Sequence, residues 1–474
     1  MFNKEVKFGL SNTILYLLLY LFISVLQYYS QSILIIFIFI LGVLITLFNR
    51  YNGFLFFIIS VFIFDDYPLN LEQMDSFSTL DGVMVMNQTL TKIWSIFFLV
   101  IIFFDLLKEK RSIPKDYLFR SILFILFISF AVGFLNLNEG EISPFINDLR
   151  FFINFFVGYF GIILYVKEHQ KIYNILKILA LIFLGKLIVL VPNIISISSQ
   201  EEFFIAVGDS GFIFAPTMLL LYYTLIKDKS SLILYFAIFL CVISFGLSVS
   251  RGKIILLVFQ LVVFFYIIGK LKKLPIIIIS VSGLIFLVVP FISESIFNAL
   301  IWKILSFIPD ANAAQSSIVR LIEYQNIINQ NLDSVTEFFF GQGIGGSWNS
   351  EYARYPFILY DTDSYPDEWI SNDVFYKPHG IIQFIILKFG FLGFFLIFFS
   401  LGYYIFKCKK FLSNIIHVKE TSNFYLIPLL LSSVCSLFLI SYSSKHQLFL
   451  GVFLAIFSLC RSNFLIKNST SLTK

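Results

Sequence analysis

The chain has 474 residues, of which 58% are hydrophobic, 19% aromatic and only 13% charged, and its mean hydropathy is +0.89. No soluble core hides that much apolar surface, so a soluble globular enzyme is excluded in favour of a polytopic membrane protein. The net charge of +5 fits basic anchors beside anionic lipid and gives no reason to invoke nucleic acid.

Apolar windows fall at 10–29, 33–48, 53–64, 93–107, 118–135, 151–166, 172–191, 209–226, 232–247, 254–269, 274–292, 380–406, 424–442 and 448–460. Such runs must satisfy their own backbone hydrogen bonds in lipid, which predicts an all-α polytopic membrane protein of about 12–14 transmembrane helices. The window at 53–64 is short for a crossing and needs flanking residues or a re-entrant path. No small-residue cleavage site follows Tyr29, so the first window reads as a span and not a signal peptide. This divides the chain into N-terminal spans (1–292), one large polar loop (293–379) and C-terminal spans with a tail (380–474).

Lysines and arginines occupy every second connection: Lys4 and Lys7, Arg50, Lys108 to Lys115, Lys167 and Lys171, Lys227 and Lys229, Lys270 to Lys273, Lys407 to Lys410, and Arg461 with Lys467. Cytoplasmic loops hold these residues in excess, so both termini are expected inside and the large loop outside. Residues 293–378 carry 11 acids against 4 bases, a net of −7. Cys241, Cys408, Cys435 and Cys460 lie in or beside spans and form no metal or disulfide pattern.

Charges near hydrocarbon are costly and mark candidate function. Arg251, in Ser248-Val249-Ser250-Arg251-Gly252-Lys253, falls on an outer turn where positive-inside statistics disfavour it. A guanidinium there suits phosphate oxygens. Arg150 closes the outer connection 136–150 with Asp148 nearby as an ordinary ion-pair partner, and Lys186 lies deep in a predicted span.

Within the large loop, 296–308 reads as an interfacial helix. Residues 316–329 read as an amphipathic helix that buries Ile318, Leu321, Ile322 and Ile328. Arg320, Glu323 and Tyr324 share one face at i, i+3 and i+4, which is either a plain Arg–Glu pair or Glu323 orienting Arg320 towards a phosphate. Phe340-Gly341-Gln342-Gly343-Ile344-Gly345-Gly346 is turn-rich and lacks the Lys-Ser/Thr of a phosphate loop. The acidic stretch 361–368 matches no calcium-loop spacing, and no metal ion or other cofactor is expected. His379, between Pro378 and Gly380 at the mouth of a span, is the best general-base candidate. His446 in another outer turn is its rival, while His169 and His417 fall on the cytoplasmic side.

Taken in order, Ser248-Val249-Ser250-Arg251-Gly252, Val319-Arg320-Leu321, Phe340-Gly341-Gln342-Gly343-Ile344-Gly345, Pro378-His379-Gly380-Ile381-Ile382 and Phe389-Gly390-Phe391-Leu392-Gly393 resemble the O-antigen ligase and polymerase superfamily. The resemblance covers the centre and C-terminal half, and the first 150 residues only by hydropathy. It implies a GT-C-like membrane enzyme at the outer face of the bacterial plasma membrane, performing metal-independent glycosyl transfer from an undecaprenyl-pyrophosphate-linked glycan donor to a glycan acceptor. Arg251 and Arg320 would hold the pyrophosphate, His379 would activate the acceptor hydroxyl, and membrane lipid and a chain-length regulator would be partners. Gly380 and Lys388 depart from the asparagine and the acid often found at comparable places. The length of the chain and its acidic, aromatic loop favour a polymerase of lipid-linked repeats. The alternatives are a ligase that transfers the glycan to lipid A-core or protein and, in another class, a polysaccharide transporter.

Overall fold

The computed structural model describes residues 32–64, 84–85, 88–109, 116–137, 142–166, 251–276, 315–354, 365, 367–415, 426–440 and 444–471, with isolated positions at 171–172, 175–176, 179, 279 and 283. Lys186, the windows at 10–29, 209–226 and 232–247 and the segment 296–308 lie outside the described residues. Twelve helices are described: Ser32–Phe48 (α1), Arg50–Phe64 (α2), Leu90–Glu109 (α3), Tyr117–Leu135 (α4), Ile142–Tyr165 (α5), Arg251–Ile267 (α6), Gln315–Leu332 (α7), Val335–Phe340 (α8), Asp367–Asn372 (α9), Ile381–Ile415 (α10), Leu426–Ile440 (α11) and Ser444–Ser471 (α12). Beyond these, a one-turn 3-10 helix spans Leu271–Lys273, Met84–Val85 pairs antiparallel with Gln88–Thr89, and a single bridge joins Trp348 to Phe375. The protein is an all-α membrane protein. Among the described residues, Tyr117–Leu135, Pro144–Tyr165 and Ile381–Lys410 are long and apolar enough to cross a bilayer, and five shorter apolar helices accompany them.

Several boundaries differ from expectation: α10 and α12 run on past 406 and 460, Arg251 opens α6 where an outer turn is expected, and two helix starts take in candidate residues. Helix α5 begins at Ile142, so Arg150 lies within a helix and not in a loop. Pro144 explains this, because proline is tolerated in a first helical turn and pre-sets its φ angle. Likewise α12 starts at Ser444 and takes His446 into its first turn.

The helices meet through aromatics and bare backbone. Phe119 of α4 stacks on Tyr159 of α5 at 3.9 Å, and Trp94 of α3 packs edge-on to Phe39 and Phe57. Helices α5 and α12 approach so closely that a Cβ on Gly158 would strike the carbonyl of Leu448, and one on Gly451 would strike that of Phe155. Small residues permit such van der Waals contact where lipid supplies no hydrophobic drive between helices. At one end of the bundle the fully buried Asp116 caps α4 through the amide of Phe119, at 3.2 Å. Its carboxylate also accepts from Tyr404 of α10 at 3.0 Å and from Ser458 of α12, so one acid ties three helices.

The opposite end is organised by a break in α10. Gly390 has φ 62° and ψ −171°, which interrupts the helix after two and a half turns. In an unbroken helix the carbonyls of Ile386, Leu387 and Lys388 would meet amides four residues on. Here Asn331 Nδ2 donates to Ile386 O at 2.8 Å, Gln342 N to Leu387 O at 2.8 Å, and Ser129 Oγ to Lys388 O at 2.7 Å. The glycine-rich run after α8 therefore packs backbone to backbone: a Cβ on Gly341 would meet Gly390 N, and one on Gly133 of α4 would meet Ile344 O. The buried Lys388 closes this joint, with Nζ 2.6 Å from Asp148 Oδ2 of α5 and donating to Gly346 O at 2.6 Å, while Asp148 also accepts from Gly345 N at 2.8 Å. Asp148 thus pairs with Lys388 across the fold.

Removing one partner of a buried pair strands the other charge. Lys388→Met is expected to cost about 3–5 kcal/mol, and Lys388→Met combined with Asp148→Asn to recover most of it. Thermal unfolding of the detergent-solubilised protein checks both.

Candidate functional site

Helix α7 has an unusual buried face. Val319, Glu323, Asn326, Ile327, Gln330 and Asn331 are buried, and four of these six are polar. Leu321, expected inside, is 66% exposed. Each of these buried polar side chains makes at least one hydrogen bond. Asn326 Nδ2 donates to Ala353 O at 2.8 Å while its Oδ1 accepts from the amides of Tyr352 and Ala353. Gln330 binds Asn349, and Asn331 binds the broken turn of α10. With the face so occupied, α7 cannot roll without stranding several groups.

Glu323 completes the row and faces His379. Its Oε2 accepts the backbone amide of His379 at 3.2 Å, and its Oε1 lies 2.5 Å from His379 Nδ1. Tyr365 donates its hydroxyl to the same Oε1 and sits 2.9 Å from Nδ1. The Tyr365 ring contacts the imidazole edge-on at 4.9 Å. An ionised carboxylate only accepts, so Nδ1 carries the hydrogen and Nε2 keeps the lone pair. The Glu323 side chain is fully buried whereas the His379 side chain is 29% exposed, and Nε2 has no hydrogen-bond partner among the described residues. This is an imidazole held through Nδ1, with Nε2 uncommitted among the described residues, an arrangement that suits a general base.

Beneath it lies a small core of Val319, Ile327, Trp348, Tyr365, Phe375, Ile386 and Leu387. Trp348 stacks on Phe375 at 4.5 Å, and their backbones exchange two hydrogen bonds of 2.9 and 2.8 Å. The polar loop therefore folds onto the first turns of α10, with His379 at the seam.

The sequence candidates separate clearly on this geometry. Glu323 and His379 come together. Arg320 is exposed on α7, one turn before Glu323, and the expectation that Glu323 orients Arg320 gives way because that carboxylate is committed to His379 and Tyr365. Tyr324 is half-buried against the small core. Arg251 is the first residue of α6 and Arg150 lies in α5, with nothing of their side chains described. Sequence reading missed Tyr365 and the Lys388–Asp148 joint. The second left a signal, a lysine in the middle of an apolar window; the first left none.

Residues 236–398, about a third of the chain, match the family model described as O-antigen ligase. Over this segment the chain is similar to the O-antigen ligase family. Arg251, Arg320, Glu323, His379 and Lys388 all lie inside the matched segment, whereas Arg150 and Lys186 lie before it. No curated protein and no solved structure matches it.

Farther along the loop, half-buried Glu337 on α8 has its carboxyl pKa raised by burial and by the nearby Asp333. Tyr352 donates to Asp333, and that hydrogen bond pushes the phenol up to about 12. The folded state therefore binds more protons at Glu337 than the unfolded state just above the usual carboxylate range, so stability falls as pH rises through that window. Glu337→Gln is expected to flatten this dependence and to raise the melting temperature at neutral pH, read from melting curves between pH 4 and pH 8.

Proposed function

We propose that this protein joins lipid-linked oligosaccharide repeat units at the outer face of the bacterial plasma membrane, as a polysaccharide polymerase. The observation that carries the reading is the Glu323–His379 pair at the seam between the polar loop and α10. In this mechanism the acceptor hydroxyl gives its proton to His379 Nε2 as its oxygen bonds to the donor's anomeric carbon. The bond from that carbon to the pyrophosphate breaks, and undecaprenyl pyrophosphate leaves with the electron pair. Glu323 holds the ring in the productive tautomer and stabilises the imidazolium as it forms, as a buried carboxylate does behind a basic histidine.

The leaving pyrophosphate gains charge, and guanidinium groups match its oxygens without proton exchange. The exposed Arg320 supports this role from α7, and Arg251 takes the same role from the head of α6. Arg150 and Lys186 are proposed as further anion contacts, with no metal ion in the scheme. The alternation of basic connections supports a cytoplasmic position for both termini and an outer position for the site.

The family description favours a second reading, a ligase that moves a finished glycan to another acceptor. The two differ in what accumulates without the protein: a single lipid-linked repeat for a polymerase, long lipid-linked chains for a ligase.

His379→Ala is expected to lower polymer formation by about 10²–10⁴-fold at unchanged protein level. Glu323→Gln lowers it in the same direction, and Arg320→Lys restores only part of what Arg320→Ala loses. Polymer length and amount from membranes carrying each variant are the readout, and unchanged polymer in His379→Ala sinks the assignment.

A further inference from the structure

We infer that Trp369, with Tyr376 set edge-on beside it, offers a stacking platform for a pyranose ring of the acceptor glycan, one aromatic ring away from His379. The inference rests on the glycosyl-transfer reading above and deepens it by assigning where the acceptor is gripped.

The aromatic residues of the small core form a graded column. Trp348 and Phe375 are 1% and 0% exposed and stack at its base, and Tyr365, 6% exposed, stands on them at 4.9 Å from Phe375. From Tyr365 the column forks. One branch is the edge contact with His379 at 4.9 Å; the other is Trp369, 6.2 Å from Tyr365, which meets Tyr376 at 5.4 Å and 68°. Trp369 and Tyr376 are only half-buried, unlike the rings beneath them. Trp369, half-buried at the top of a packed column, retains apolar surface that water solvates poorly.

Pyranose rings fit such faces. The axial C–H groups of a sugar make an apolar patch that lies flat on an indole or phenol, while its hydroxyls point sideways to hydrogen-bonding groups. Those groups are at hand: Asp367 and Glu368, both exposed, occupy the turn of α9 that carries Trp369. Carboxylates accept from sugar hydroxyls, and a few placed polar groups around an apolar floor are what a small-molecule subsite needs. Trp369 and His379 both contact Tyr365, at 6.2 and 4.9 Å, so a glycan gripped at Trp369 is held near the imidazole and the entropic cost of presenting a hydroxyl to it falls.

The test uses full-length protein in detergent and the lipid-free repeat oligosaccharide released by mild acid from the host's own lipid-linked intermediate. Titrating that oligosaccharide into the His379→Ala protein in a calorimeter is expected to give a saturable heat of binding, a signal that does not depend on Trp369. Adding Trp369→Ala is expected to weaken binding at least about tenfold, whereas Trp369→Phe and Tyr376→Phe, which keep an aromatic face and guard against misfolding, lose only about two- to threefold. In turnover assays with His379 intact, the Trp369→Ala loss is expected in KM and not in kcat. Equal oligosaccharide affinity with and without Trp369 overturns the platform even where His379→Ala abolishes turnover. Conversely, Trp369-dependent binding with full turnover in His379→Ala keeps the platform and overturns the base.

Discussion

A transmembrane helix that breaks must give its freed carbonyl groups a partner, because hydrocarbon offers none. Gly390 breaks α10, and the carbonyls of residues 386, 387 and 388 are taken by a helix of the polar loop, by its glycine-rich run and by α4 in turn. The rest of this end of the molecule follows from that requirement. The glycines at 341, 343 and 345, with φ of 70–85°, press their backbones on the broken turn, on Gly133 of α4 and on Phe145 of α5 respectively, and Lys388 is buried because its ammonium closes the joint on Asp148. The loop is thus a structural cap on the bundle before it is anything else.

The same contacts set the geometry of the proposed base. Asn331 and Glu323 lie eight residues apart on α7, and the groups they hold, Ile386 and His379, lie seven residues apart at the head of α10. At 1.5 Å per residue these spans are roughly 12 and 10 Å, so α7 and the first turns of α10 run side by side in matched register. One contact satisfies a broken helix and the other orients an imidazole. A shift of α7 by a single turn would uncouple both, which explains why its buried face is polar: hydrogen bonds fix an axial position that apolar packing alone would let slide.

Hydropathy located half of the described helices to within a few residues at both ends, as at 33–48 against Ser32–Phe48 and 118–135 against Tyr117–Leu135. It did so because backbone satisfaction in lipid leaves little choice. It failed where polarity is internal. The polar opening of α5 read as a loop until its proline is taken as a first-turn residue, and hydropathy seeks the buried side of α7 among Ile318, Leu321, Ile322 and Ile328, because a stripe of Glu323, Asn326, Gln330 and Asn331 is hydrophilic by composition. His379 was legible from its place at the mouth of a span. Its partner was not, since Glu323 is 56 residues upstream and periodicity is blind to contacts at that separation.

The distance along the chain between Glu323 and His379 also bears on when the site comes into being. During synthesis α7 emerges before any of α10, and the carboxylate has nothing to hold until that helix is inserted and its broken turn has captured Asn331 and Gln342. A chain released before α10 is seated therefore carries an unheld imidazole, and the site ripens only once the bundle beneath it is built. Biogenesis itself becomes a safety catch, keeping the proposed centre idle while the protein is still incomplete in the membrane.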